Sequence, residues 1–195
     1  MLKPKIEQHI KTFKGDQVAL HKEEKEYVEK HQLLEGGMTI VEKDAEARFT
    51  DAYIERSDKE FENLIAVETS EFLHQPLTFL KTNKKEFIYL ESKWFELIGV
   101  DAVSLEVDDL FGTYEALLGL KLQKKYDKVI RSYLQAELQG ENAKFALIFS
   151  AEDGLWNFNF SLNDVKGFTE DMTIGEAYQF IYQFLFKLME EIEEK

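Results

Sequence analysis

Cysteine is absent from this 195-residue chain, which excludes a disulfide framework, a thiolate metal site and a cysteine nucleophile, and fits a reducing cytosol. Proline and glycine are scarce, at two and ten residues, so long regular elements are expected rather than a loop-rich sandwich. Basic side chains are also in deficit: 24 Lys and Arg stand against 38 Asp and Glu, leaving a net charge of −14. Nucleic acid is thereby excluded as a partner, because a phosphate backbone is bound by a basic face that displaces counterions. The densest basic run, "KLQKKYDKVIR" at 121–131, reads as the wet side of one helix. A long apolar run is missing too. The most apolar window, 177–189, is broken by Gln179, Gln183 and Lys187 and followed by "EEIEEK", too short and polar to span a membrane. The start, "MLKPKIEQHIKTFK", lacks the apolar stretch of a signal peptide, so the expectation is a cytoplasmic protein with no membrane partner.

Catalytic signatures are equally sparse. His9, His21, His31 and His74 show no HxH, HxxxH or HExxH spacing and read as solvated helix-face residues. Asp101, Glu106, Asp108 and Asp109 form an acidic group, but "LEVDDLFGT" lacks the alternating carboxylates of a calcium loop and reads as the rim of a hairpin turn. There is no G-x-S-x-G, and Ser150 sits at an ordinary strand end. Lys121, Lys124, Lys125 and Lys128 fall on a wet helix face, whereas a Schiff-base lysine needs a desolvated pocket. No cofactor, metal or catalytic residue is assigned.

What the chain does have is rings, sixteen Phe and eight Tyr, and clear periodicity from residue 84 onward. The first part, 1–83, reads as mostly helical. Leu2, Ile6, Ile10 and Phe13 mark one helix; a charged second helix runs to Gly36-Gly37; Ser57-x-x-Glu60 caps a third through Val67; and a short helix opens at Pro76. Residues 38–56 are open between helix and strand. Asn83-x-x-Glu86 with Phe87, Leu90, Trp94 and Leu97 predicts a helix over 84–98, stopped by Gly99, although "EFIYLE" also reads as a strand. Period-two alternation then gives a hairpin at about 102–122, a helical stripe runs from Tyr126 to Leu138 with Gly140 closing it, and a second hairpin spans about 144–162. Thr173-x-x-Glu176 caps a last helix over 174–193. The order predicts a single α+β domain: an antiparallel sheet built from two hairpins with helices on one face, preceded by a helical N-terminal region, and no parallel βαβ unit.

Two surfaces invite a partner. In "AEDGLWNFNF", a two-residue Asp153-Gly154 loop would set Phe149 opposite Phe158, Leu147 opposite Phe160 and Ala151 opposite Trp156, all on one apolar face. Asn157 and Asn159 then lie on the other face, as contact residues if that face is open. The last helix is apolar around half its circumference, with Tyr178, Tyr182 and Phe186 widening the stripe. It must pack on two things: the sheet and the N-terminal helices, or the sheet and a partner chain, most simply a second copy in a homodimer.

At "RFTDAYIERSDKE" (48–60), "YLESKWFELIGVDAVSLEVDDLFGTYEALLGLKLQKKY" (89–126) and "EDGLWNFNFSLNDV" (152–165), the chain resembles a functionally uncharacterised family of small cytosolic proteins of Gram-positive bacteria. Some members carry the label branched-chain amino acid aminotransferase. That label implies a pyridoxal-phosphate lysine and a phosphate-gripping turn, and no position here matches either. The alternation of helices and antiparallel strands is also similar to that of acidic type III secretion chaperones, which dimerise to hold unfolded segments. The leading expectation is therefore a non-enzymatic binding or protein-interaction module, possible in chaperone-like form; a small-molecule enzyme of the labelled kind is the alternative.

Overall fold

A computed structural model of the chain describes residues 1–34, 36–139 and 145–195. Its elements run in order: α1 (Leu2–Lys11), β1 (Gln17–Leu20), α2 (Lys22–Lys30), β2 (Thr39–Glu42), β3 (Tyr53–Asp58), β4 (Leu64–Glu68), α3 (Phe79–Thr82), β5 (Glu86–Glu91), α4 (Lys93–Leu97), β6 (Val100–Val107), β7 (Tyr114–Leu120), α5 (Asp127–Glu137), β8 (Phe145–Ser150), β9 (Leu155–Ser161) and α6 (Ile174–Glu193). Short 3-10 turns at 45–49, 70–74, 124–126 and 162–164 join them. Seven strands form one antiparallel sheet in the order β4-β3-β5-β6-β7-β9-β8. The α+β architecture and both C-terminal hairpins agree with the sequence reading. Gly140 and the start of the second hairpin at 144 lie outside the described residues.

Four expectations are corrected. The helix over 84–98 is β5 followed by α4: Ile88 and Leu90 are buried while Phe87 and Tyr89 are half-buried, which is strand alternation, and Ser92 rather than Asn83 caps the helix by accepting from Trp94 N. The helix expected after Ser57 is the β3–β4 hairpin, where Asp58 Oδ1 accepts from the Glu60 and Phe61 amides at 3.0 Å each and turns the chain. The charged second helix stops at Lys30, well before Gly36-Gly37, with Gln32 taking the left-handed conformation at φ 52°. Finally, β1, α2 and β2 do form a parallel βαβ unit, with Gln17 opposite Thr39 and Leu20 opposite Glu42. The open segment 38–56 resolves into β2, a 3-10 turn and the start of β3.

One row of the sheet shows how the core is built. Ile54, Leu90, Val103, Leu118, Phe158 and Leu147 lie side by side across six strands, all buried. α6 lies on this face. Its Tyr178 hydroxyl donates to Ile88 O at 2.8 Å, and Phe184 stacks on Phe160 with ring centroids 4.8 Å apart. α5 packs beside it, with Tyr133 donating to Phe184 O at 2.9 Å. On the far side of α6 sits the N-terminal part, where Tyr27 donates to Glu193 and Lys30 reaches Glu194 at 2.8 Å. The Thr173–Glu176 capping box is present in both directions, at 3.2 and 2.7 Å.

The second hairpin keeps its predicted facing but not its register. Phe149 opposes Trp156, Leu147 opposes Phe158 and Phe145 opposes Phe160, a shift of two residues, with 151–154 as the loop. Asp153 draws the turn in: Ser150 Oγ donates to its carboxylate at 2.7 Å, and Gly154 N donates to Ser150 O at 3.0 Å. A two-residue shift costs nothing in facing, because side chains alternate with period two.

Candidate binding surface

Helices and turns crowd one face of the large sheet; the register identifies what lies on the other. Its central row reads Val67, Glu55, Tyr89, Ser104, Leu117, Asn159 and Ala146 across all seven strands. Flanking positions on that face are Tyr53, Glu91, Ala102, Gly119, Asn157 and Ile148 toward one end, and Leu64, Ser57, Phe87, Glu106, Glu115 and Ser161 toward the other. Most are exposed or half-buried. Asn157 is exposed and Asn159 half-buried, so both expected contact residues stand on the open side.

None of these outer-face positions carries Lys or Arg, while four carry glutamate. Glu55 accepts from Tyr53 Oη at 2.7 Å and Ser57 Oγ at 3.1 Å, and Glu91 accepts from Tyr89 Oη. Glu106 and Glu115 are directly opposite each other on β6 and β7. Like charges at such a position are destabilising. Partial burial is the main cause that raises both pKa values above the ordinary glutamate range. Lys59 opposes it at Glu106 and Thr113 and Ser161 oppose it at Glu115, while Asp109 and Asp108 add to it at Glu106 and Asp108 and Asp164 at Glu115. Sheet formation by itself gains nothing from this pairing.

Tyr178, Tyr182 and Phe186 are placed differently from Asn157 and Asn159. All three are buried between the sheet and the N-terminal helices, so the helix meets its two packing demands within the chain and leaves these side chains no free surface. Burial also holds the Tyr178 and Tyr182 phenols well above the usual tyrosine range. Tyr182 donates to Glu24, which is fully buried and also accepts from Arg48 Nη1 at 2.7 Å and Nη2 at 3.2 Å. The guanidinium lies 4.0 Å from the Tyr182 ring centroid and 5.1 Å from that of Trp94. Sequence reasoning missed this cluster, since Glu24 and Arg48 lie in stretches of ordinary charged composition.

The histidines are not all solvated. His21 is buried edge-on to Trp94 at 4.7 Å, with neither ring nitrogen reaching a hydrogen-bond partner. Burial, then Arg48 and Lys43, push its pKa down to about 3, with the Asp44 backbone acting weakly the other way. His9 packs on the same indole at 5.3 Å. This cluster ties α1 and the β1–α2 junction to α4.

A cavity of about 370 Å³ opens at the start of α6, between the 3-10 turns at 45–49 and 70–74. Part of its polar lining is committed to local structure: Asp44 caps the first turn, Thr173 and Glu176 cap α6, and Gln179 Nε2 donates to Ala45 O at 2.7 Å, while Glu46, Ser70, Glu71 and His74 also line it. At Gly175 a Cβ would lie 3.2 Å from both Leu73 O and Leu73 Cβ, so a larger residue would need the 70–74 turn to give by a few tenths of an ångström. Among the described residues no group of three or more His, Asp or Glu is arranged to hold a metal ion, and no helix is long and apolar enough to cross a membrane.

Fold and surface together define an α+β protein with one helix-covered and one open sheet face. Comparison with family models, curated proteins and solved structures gives no match to this chain.

Proposed function

We propose that the chain is a non-enzymatic protein-interaction module of the cytosol, and that the open face of its seven-stranded sheet receives a cationic protein partner. The observation that carries this reading is the outer face itself: four glutamates, two tyrosines and two asparagines on register-fixed strands, with Lys59 reaching Glu106 from the rim and no cation at a strand position of the face. Lys59 already lies 3.7 Å from Glu106, whereas Glu55, Glu91 and Glu115 have no ion-pair partner among the described residues, and a basic surface would supply their countercharge. Tyrosine and asparagine add contact area and adaptable hydrogen bonds at small entropic cost. The net charge of −14 steers a basic partner toward the chain and discourages self-association.

The test is a titration of isotopically labelled protein with an oligolysine peptide, followed by backbone amide shifts. Shifts should concentrate on β5, β6, β7 and β9, centred on Tyr89, Leu117 and Asn159. They should vanish in Glu55→Lys/Glu91→Lys and fade with added salt. Shifts confined to α5 and α6, or unaltered by the double substitution, would refute the assignment of the face.

A further inference from the structure

Two hairpins turn at the same end of the sheet's strands and are turned by the same device. In the β3–β4 hairpin Asp58 N donates to Asn63 O at 2.9 Å, Asp58 Oδ1 accepts from Glu60 N and Phe61 N, and Glu62 N donates to Asp58 O at 2.9 Å. In the β6–β7 hairpin Asp108 N donates to Thr113 O at 2.8 Å, Asp108 Oδ1 accepts from Leu110 N and Phe111 N, and Gly112 N donates to Asp108 O at 2.9 Å. Each loop reads Asp, two residues, Phe, then a residue in the left-handed region: Glu62 at φ 54° and Gly112 at φ 70°.

Lys59 ties the two tips together. Its ammonium donates to Val107 O and lies 3.7 Å from Glu106 and 3.9 Å from Asp109. The matched turns hold Phe61 and Phe111 at equivalent loop positions, exposed by 69% and 63%, and Leu110 is the most exposed large apolar residue described, at 82%. Surface apolar residues scattered singly are unremarkable, but Phe61 and Leu110 stand on two identically built loops that Lys59 ties together. Carboxylates outnumber cations around them: Glu60 and Glu62 flank Phe61 and Asp109 precedes Leu110, with Lys59 and Lys85 between the loops.

We infer that the paired β3–β4 and β6–β7 tips form a two-pronged anchor that inserts Phe61 and Leu110 into an apolar cleft with a basic rim on a partner protein. The inference rests on the proposed interaction role and names the chemistry of the partner at its anchoring end. Large apolar side chains on rigid loops lose little entropy on burial and supply the strong contacts of an interface, with a charged rim around them. The flanking carboxylates favour a basic protein over an anionic lipid surface, where Glu60, Glu62 and Asp109 would meet like charge, and over a second copy of this acidic chain.

The experiment places a photoreactive benzophenone side chain at position 61, at 110 or, as a control on the exposed face of α5, at Gln135, and irradiates each full-length protein in soluble cell extract. The protein recovered is then purified and its affinity measured for the wild type and for Phe61→Ser/Leu110→Ser. Expected are adducts at 61 and 110 with one basic protein, none at 135, and at least about 10-fold weaker binding by the double variant, the scale of a hot-spot residue. Unchanged melting of that variant separates loss of binding from loss of fold. A basic partner that binds wild type and tip variant equally overturns the anchor but leaves the interaction role standing. Adducts with the chain itself, or flotation with phosphatidylserine vesicles that depends on Phe61 and Leu110, overturn the named partner. Absence of any adduct and of any binding protein overturns both.

Discussion

Replacing Glu24 by leucine removes the carboxylate that, among the described residues, alone pairs with both terminal nitrogens of Arg48, and leaves the Tyr182 hydroxyl without its acceptor. The Arg48 side chain is 3% exposed, so water cannot take over the lost contact, and Glu23 alone remains as its ion-pair partner. Breaking one side of a buried pair costs about 3–5 kcal/mol, because the surviving charge stays desolvated. Against a total stability of about 5–15 kcal/mol for a domain, that is a large fraction. Arg48→Met should cost a similar amount, since it strands the Glu24 carboxylate. The double variant Glu24→Leu/Arg48→Met removes both charges and keeps volume; it should lie within about 2 kcal/mol of wild type, after allowance for the lost stacking on Trp94 and Tyr182. Urea unfolding followed by tryptophan fluorescence gives all four corners of the cycle. The reasoning is refuted if Glu24→Leu costs under about 1 kcal/mol or if the two single losses simply add.

Three further outcomes follow from the packing. His21 binds its proton more weakly when folded, at a pKa of about 3 against the ordinary 6.5, so the stability it contributes is fully present above about pH 6.5 and is lost as pH falls toward 3. His21→Leu should flatten that slope between pH 6.5 and 4, and a variant whose acid sensitivity matches wild type would contradict it. Phe160→Ala removes the ring stacked between Phe158 at 5.0 Å and Phe184 at 4.8 Å and should cost about 3–5 kcal/mol in thermal or urea unfolding. In the sister turns, Glu62→Gly should stabilise by about 1 kcal/mol while Gly112→Ala destabilises by about 1–2 kcal/mol, since only backbone strain at positive φ separates them; equal effects in the two turns would break the equivalence.

How much of this was legible in the sequence depended on whether burial was one-sided. α6 was readable to the residue, from a capping box and a 3.6-residue stripe, and the second hairpin from strict alternation around Asp153-Gly154. β5 was misread because Phe87, Leu90, Trp94 and Leu97 fall at helical spacing across a junction between strand and helix, where two short elements imitate one. The β3–β4 hairpin was hidden by Ser57-x-x-Glu60, which matches a capping box although Asp58 is the residue that caps, and it caps a turn. Asn157 and Asn159 were placed correctly on the open face because facing survives a two-residue register shift. Tyr178, Tyr182 and Phe186 were offered to a partner because the sequence does not show that α1, α2 and the 45–49 turn close over α6. The tip residues carried no sequence signal beyond two loops of the form Asp-x-x-Phe, and their equivalence emerges only from the shared hydrogen bonds.

The claim that the open sheet face and its tips meet a basic partner is tested most directly by amide hydrogen exchange on the full chain, with and without the basic protein recovered by crosslinking at the tips. Binding should slow exchange at 59–63 and 108–113 and along β5 to β7, and leave α5 and α6 unchanged. Protection confined to the helical face, with the tips exchanging as fast as in the free protein, would contradict it.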